Sequence, residues 1–267
     1  MIRKPVVAGQ FYPGNPETLR EYVEKAELTD GSPAKVFGLV APHAGYVYSG
    51  AVAGAVFGRV AVPDSVLLLG PNHTGMGTPA SIMSDGTWAT PLGQAPVDHD
   101  LAEALRDACP LLEEDSQAHA REHSLEVQLP FLQVRNPHVH IVPIAFMLRR
   151  FEEIQAVGNA VAEVIRRWEA PVLVVASSDM THYESAASAE SKDRKAIERV
   201  LAIDAVGLLD TTRNFGISMC GVIPTAVMLV AAAALGHTRG ELVRYATSGD
   251  ASGDYSQVVG YAGMVVH

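Results

Sequence analysis

Three times in 267 residues an apolar run stops at a Pro, Gly or Ser turn and at once presents a histidine or a carboxylate. Val36 to Ala41 leads to Pro42 and His43, Ser65 to Gly70 leads to Pro71, Asn72 and His73, and Pro171 to Ala176 leads to Ser177, Ser178, Asp179 and then His182. Runs of this kind are what strands buried on both faces look like, as in a parallel sheet with helices above and below. Open α/β sheets build their sites on the loops outside the carboxyl ends of such strands. One histidine in that position can equally well satisfy a turn. The recurrence tips the reading toward an α/β fold: a single domain over residues 1–267, with a central mixed, largely parallel sheet flanked by helices.

The segments between the runs fit that outline. Asn15 caps a helix that has Pro16 in its first turn and Leu19, Tyr22, Val23 and Ala26 on one face, reaching about Leu28. Small residues from Ser49 to Gly58 allow a helix to approach the sheet closely. Ser81 to His99 reads as a short hairpin turning at Asp85-Gly86, which makes the sheet mixed or adds an edge to it. Further helices are expected over 97–109, 150–168 and 190–203, and further strands over 139–146, 241–246 and 258–266.

Composition excludes several classes of function. The chain is 48% hydrophobic and 19% charged, with a net charge of −10 and a pI near 5.4, which argues against a nucleic-acid ligand. The most apolar stretch, Val222 to Leu235, contains Pro224 and falls short of the roughly 20 residues a membrane span needs, so it reads as a core helix. Residues 1–5 carry no secretory-type apolar run, and the two cysteines, Cys109 and Cys220, are too few for a disulfide scaffold. A cytoplasmic protein is expected.

Chemistry concentrates in few places. His119 and His123 are four residues apart, as are Glu122 and Glu126, so on one helix each pair would share a face, although a solvated acidic face also explains the glutamates. His123, Glu126 and Gln128 are pocket candidates. Asp179 can orient a histidine or take a proton, and His182 can act as the acid/base itself. Cys220 lies just ahead of the apolar helix, where a thiolate is stabilised, although a lone cysteine can also be buried and inert. His99 and Cys109 are expected to be structural or surface residues, and His138 is expected to play no part in metal binding.

Taken in order, Pro42-His43-Ala44-Gly45-Tyr46, Gly70-Pro71-Asn72-His73, Glu122-His123-Ser124-Leu125-Glu126-Val127-Gln128-Leu129-Pro130, Ser177-Ser178-Asp179-Met180-Thr181-His182 and Cys220-Gly221 resemble the Memo family, called AmmeMemoRadiSam system protein B in bacteria and archaea. The resemblance covers nearly the whole chain. It implies a fold related to class III LigB-type extradiol dioxygenases, which hold non-haem Fe(II) with two histidines and a carboxylate. It further implies His43, His73 and Cys220 as metal ligands, with His182, Asp179 and His123 as catalytic groups in the same pocket. A thiolate where those dioxygenases have a carboxylate is a softer ligand, so Fe(II) or copper is expected, with zinc as a third choice. The implied functions are a metal-dependent oxidoreductase acting on a small molecule and a peptide- or phosphopeptide-binding adaptor; two histidines, a third ligand and an open position would also suit a hydrolase using a metal-bound water. A link to radical SAM and AMMECR-type proteins is implied as well.

Overall fold

The computed structural model describes residues 1–27 and 32–267. In the strand Ser65–Pro71, Leu67 and Leu69 pack into one apolar cluster while Val66 and Leu68 pack into another, so both faces are covered. The strand Val172–Ser177 divides in the same way, Val174 and Ala176 against Leu173 and Val175. This two-sided burial is why these runs carry no polar alternation.

The central strands run parallel in the order Gly38–Ala41, Val172–Ser177, Ser65–Pro71, His140–Phe146. The flanks are antiparallel. Val258–Val266 pairs with Gly38–Ala41 and also with Gly240–Thr247 and His182–Glu184, and Ala80–Ile82 extends the opposite edge beside His140–Phe146. The sheet is therefore mixed, with a parallel centre. The helices Phe151–Arg167 and Val222–Ala234 pack on each other over one face, and Pro16–Ala26, Tyr46–Gly58 and Leu129–Arg135 cover the other. Val222–Ala234 is a core helix, as its composition implied, and no helix among the described residues is long and apolar enough to cross a membrane.

Local signals and tertiary pairing disagree in a few places. The expected hairpin about Asp85-Gly86 does not form. Ala80–Ile82 pairs instead with the buried edge of His140–Phe146, and the hairpin is made by Thr87–Thr90 and Gly93–Pro96 in a small separate sheet with Ile2–Arg3. Pairing with an open sheet edge satisfies more buried backbone than a two-residue turn does, so it wins. The helix expected from Glu190 starts at Ala186, because the Ser185 side chain caps it, and a helix over Ala205–Phe215, capped by Asp204 and ended by Gly216 at φ +59°, has no counterpart in the sequence reading. The first helix ends at Ala26; its expected extension to Leu28 lies outside the described residues.

Gly54 shows how tightly the helices sit. A Cβ there would stand 2.6 Å from the backbone carbonyl carbon of Ala26, too close for any side-chain adjustment to relieve. Gly54→Val should therefore push Pro16–Ala26 and Tyr46–Gly58 apart and cost about 1–3 kcal/mol in urea unfolding. An unchanged unfolding midpoint would contradict the packing described.

Candidate metal centre

The parallel strands deliver their polar side chains to one end of the sheet. Gly38–Ala41 and Val172–Ser177 are neighbours, so the loops that follow them meet, and the His43 backbone N–H donates to Asp179 Oδ1 at 2.8 Å. His73 follows the next strand along, where its backbone N–H and its ring Nδ1 both meet the carboxylate of Glu122, at 2.5 and 2.9 Å. His123 is the residue after that carboxylate, and its Nδ1 lies 3.5 Å from Glu122 Oε1. One ring nitrogen from each of His43, His73 and His123 lies within 4.8 Å of the others. The His73 and His123 rings stack at 4.9 Å between centroids, and His43 stands edge-on to both.

Hydrogen bonding fixes the protons on two of these rings. The Ser177 hydroxyl donates to the Ser124 carbonyl at 2.7 Å and accepts from Gln128 Nε2 at 2.8 Å. Its remaining partner, His43 Nδ1 at 2.9 Å, must therefore be the donor, which leaves His43 Nε2 as the unprotonated nitrogen. That nitrogen is 3.1 Å from the Cys220 sulfur. Glu122, acting as acceptor, likewise holds the proton of His73 on Nδ1. Carboxylate-oriented and hydroxyl-oriented imidazoles are what metal-binding histidines require.

The electrostatics follow from burial and neighbours. Burial, reinforced by the other imidazoles, drives the His43 pKa well down, so its ring is neutral and able to ligate. His123 is lowered mainly by burial. For His73 burial also acts downward, but the Glu122 hydrogen bond and charge outweigh it and the net shift is upward. Burial alone would raise Glu122; its bonds to His73 and Ser124 instead hold it at about 2. Burial and the Asp179 charge push the Cys220 thiol up, so the helix end alone does not produce the stabilised thiolate that its position suggested, and a cation is needed to draw the proton off.

A metal ion fits this donor set. Imidazole nitrogens at about 2.1 Å from one ion are about 3–3.4 Å apart, a contraction that side-chain rotation can supply from the distances seen. Three imidazoles with an adjacent thiol suit iron, copper or zinc better than a hard, oxygen-seeking ion.

A Memo-like protein family model matches residues 3–265. The chain belongs to the Memo family. It is 46% identical to a MEMO1 family protein of Methanopyrus kandleri across 99% of both chains. It is also 42% identical to one from Methanothermobacter thermautotrophicus, across 98% of this chain and 99% of the relative, and 40% identical to one from Methanocaldococcus jannaschii, across 99% of both.

Within this Memo chain, the structure brings His43, His73 and His123 into one group and sets Cys220 against His43. Asp179 is buried, with its backbone N–H directed at the Cys220 sulfur at 3.3 Å. His182 is half-buried at the rim, its Nδ1 against the Ser218 carbonyl at 3.1 Å. His119 does not share a helix face with His123, because the helix ends at Ala120 and His119 turns to the Ser81 carbonyl and the Trp88 ring. Glu126 pairs with Arg3 and is not part of the imidazole group. Sequence reasoning missed Glu122 as the group that orients His73, although its place directly before His123 was a usable signal.

His43→Ala, His73→Ala and His123→Ala should each lower bound metal per chain, and Glu122→Gln should weaken binding about 10–100-fold with the fold retained. His99→Ala and His138→Ala should leave metal content unchanged. Metal analysis after dialysis, with circular dichroism on each variant, decides this; wild-type retention in His43→Ala would contradict the assignment.

His119 carries a pH prediction. Burial and the nearby Arg3 charge lower its pKa to about 4, and its Nδ1 has no partner. The unfolded chain then binds the extra proton between about pH 6.5 and pH 4, so stability is complete above that window and falls through it by on the order of 3 kcal/mol. His119→Gln should flatten that part of the stability profile, read from unfolding midpoints across the window.

Proposed function

We propose that this chain is a non-haem metal-dependent redox enzyme of the dioxygenase-like type, acting on a small molecule. The observation that supports it most directly is the convergence of His43, His73 and His123, with the Cys220 sulfur 3.1 Å from the unprotonated Nε2 of His43. His43, His73 and Cys220 hold the ion in this reading, and His123 stands beside them as a further donor or as a proton acceptor for substrate. Iron or copper is the preferred ion, with zinc third, because the donor set mixes imidazole with thiolate. When bound, such an ion supplies one-electron and oxygen chemistry.

The remaining residues handle substrate and protons. With Nδ1 engaged by Ser218, the Nε2 edge of His182 is free to exchange a proton at the mouth of the site. Burial raises the Asp179 pKa, so this side chain can hold a proton close to Cys220 while its Oδ1 keeps the His43 loop in place. The open side lies at His73, whose side chain is 35% exposed, and a small molecule reaches the centre there. A relation to LigB-type dioxygenases, a cytoplasmic location and a functional partnership with radical SAM and AMMECR-type proteins belong to the same proposal.

Protein purified anaerobically without a tag should carry about one iron or copper per chain, lost in Cys220→Ala, and should consume O₂ with a suitable small aromatic substrate. Zinc at full occupancy with no O₂ consumption would favour a hydrolase using a metal-bound water. No uptake of any of these metals would overturn the enzyme reading and favour a peptide-binding adaptor.

A further inference from the structure

Glu126 is fully buried, yet its carboxylate takes no part in the imidazole group. It accepts from Arg3 Nη1 at 2.8 Å, from the backbone N–H groups of Val6 and Val7 at 2.9 and 3.0 Å, and from the Tyr12 hydroxyl at 2.7 Å. Arg3, also buried, uses the rest of its fork elsewhere. Its Nε donates to the His119 carbonyl at 2.7 Å and its Nη2 to the Glu122 carbonyl at 2.6 Å, while the guanidinium lies 4.0 Å over the Trp88 ring. One buried ion pair thus ties residues 3–12 to the turn that carries Glu122 and His123.

The same segment reaches the other side of the centre. The Phe11 carbonyl accepts from the Tyr46 N–H at 2.7 Å, just beyond the His43 loop, and the Phe11 ring stands edge-on 4.9 Å from His123. Residues 3–12 therefore bridge the two loops that bring His43 and His123 together. A buried ion pair is a weak source of stability compared with apolar packing of the same volume, and its best-attested use is to set register. Here it sets the register of the strap on the ligand turn.

We propose that residues 3–12 are a strap that positions Glu122 and His123 for metal binding, with Arg3 and Glu126 as its positioning residues. This rests on the metal-centre reading above. The guanidinium contacts to His119, Glu122 and Glu126 point in fixed, divergent directions, so a lysine at position 3 cannot reproduce them.

The test measures Co(II) binding by chelator competition, the visible spectrum of the Co(II) form, and the thermal midpoint of the metal-free protein. Arg3→Met should weaken Co(II) binding about 10–100-fold and alter the spectrum, because the imidazole held through Glu122 shifts. Arg3→Lys should fall between Arg3→Met and wild type. Arg59→Met, which removes an exposed ion pair with Glu241, should change neither reading. If Arg3→Met does not fold, Phe11→Ala tests the strap instead: its half-buried ring lies outside the ion pair, and its loss should still weaken binding and shift the spectrum. Wild-type Co(II) affinity and spectrum in a folded Arg3→Met, or in Phe11→Ala, overturns the strap alone. Wild-type protein that binds no Co(II) overturns the metal centre and the strap together.

Discussion

A carboxylate with no exposure to solvent costs several kcal/mol unless its lone pairs are met, and at Glu122 they are met by the histidine loops themselves. The His73 backbone and ring and the Ser124 N–H all donate to it. Satisfying that one charge therefore fixes where the loop after Ser65–Pro71 lies, which nitrogen of His73 carries its proton, and where His123 begins. Gly70 makes the approach possible. A Cβ at that position would stand 2.6 Å from Leu125 Cδ2 and 2.8 Å from Ser124 Oγ, so any other residue would have to displace the side chains of the turn.

Proton placement around the centre is what a cation would exploit. Asp179 and Cys220 are both pushed toward their protonated forms, chiefly by burial, while His43 is pushed toward its neutral form. Each group is thus biased toward the less charged of its two states, as a low-dielectric site demands. A positive ion among them reverses the cost for the two acids and gains a neutral imidazole at no cost in deprotonation. The Ser177 hydroxyl belongs to the same arrangement: by donating to Ser124 and accepting from Gln128, it leaves His43 only one tautomer.

The parallel centre was legible in the sequence because strands buried on both faces leave an unambiguous apolar run, and their ends locate His43, His73 and Asp179 without further information. Where the reading depended on pairing it failed. Asp85-Gly86 is a sound turn signal, but no local pattern reveals that Ala80–Ile82 has an open edge to join. The helix Ala205–Phe215 was missed although its Asp204 cap and Gly216 stop were both in the sequence to be read. At the site, the spacing of His119 and His123 suggested a shared helix face, yet the chain leaves the helix between them, and the neighbour that matters to His73 is the intervening Glu122. Spacing identifies possible partners only where the secondary structure is already known.

Sheet order explains how residues far apart in the chain make one centre. His43 and Asp179 are 136 positions apart but follow adjacent strands, and the strand that leads to His73 is next in line. Because these strands are parallel, all three loops leave the sheet at the same end, which antiparallel neighbours joined by short hairpins would not achieve. The Glu122–His123 turn and Cys220 come from outside the strands, so only they need separate anchoring: Cys220 through Gly221, whose N–H donates to Ser178 Oγ at 3.0 Å, and the turn through Glu122 below and Arg3 behind. The sheet supplies two histidine loops rigidly, and the assembly of the centre therefore depends on the two elements that must be tied to it.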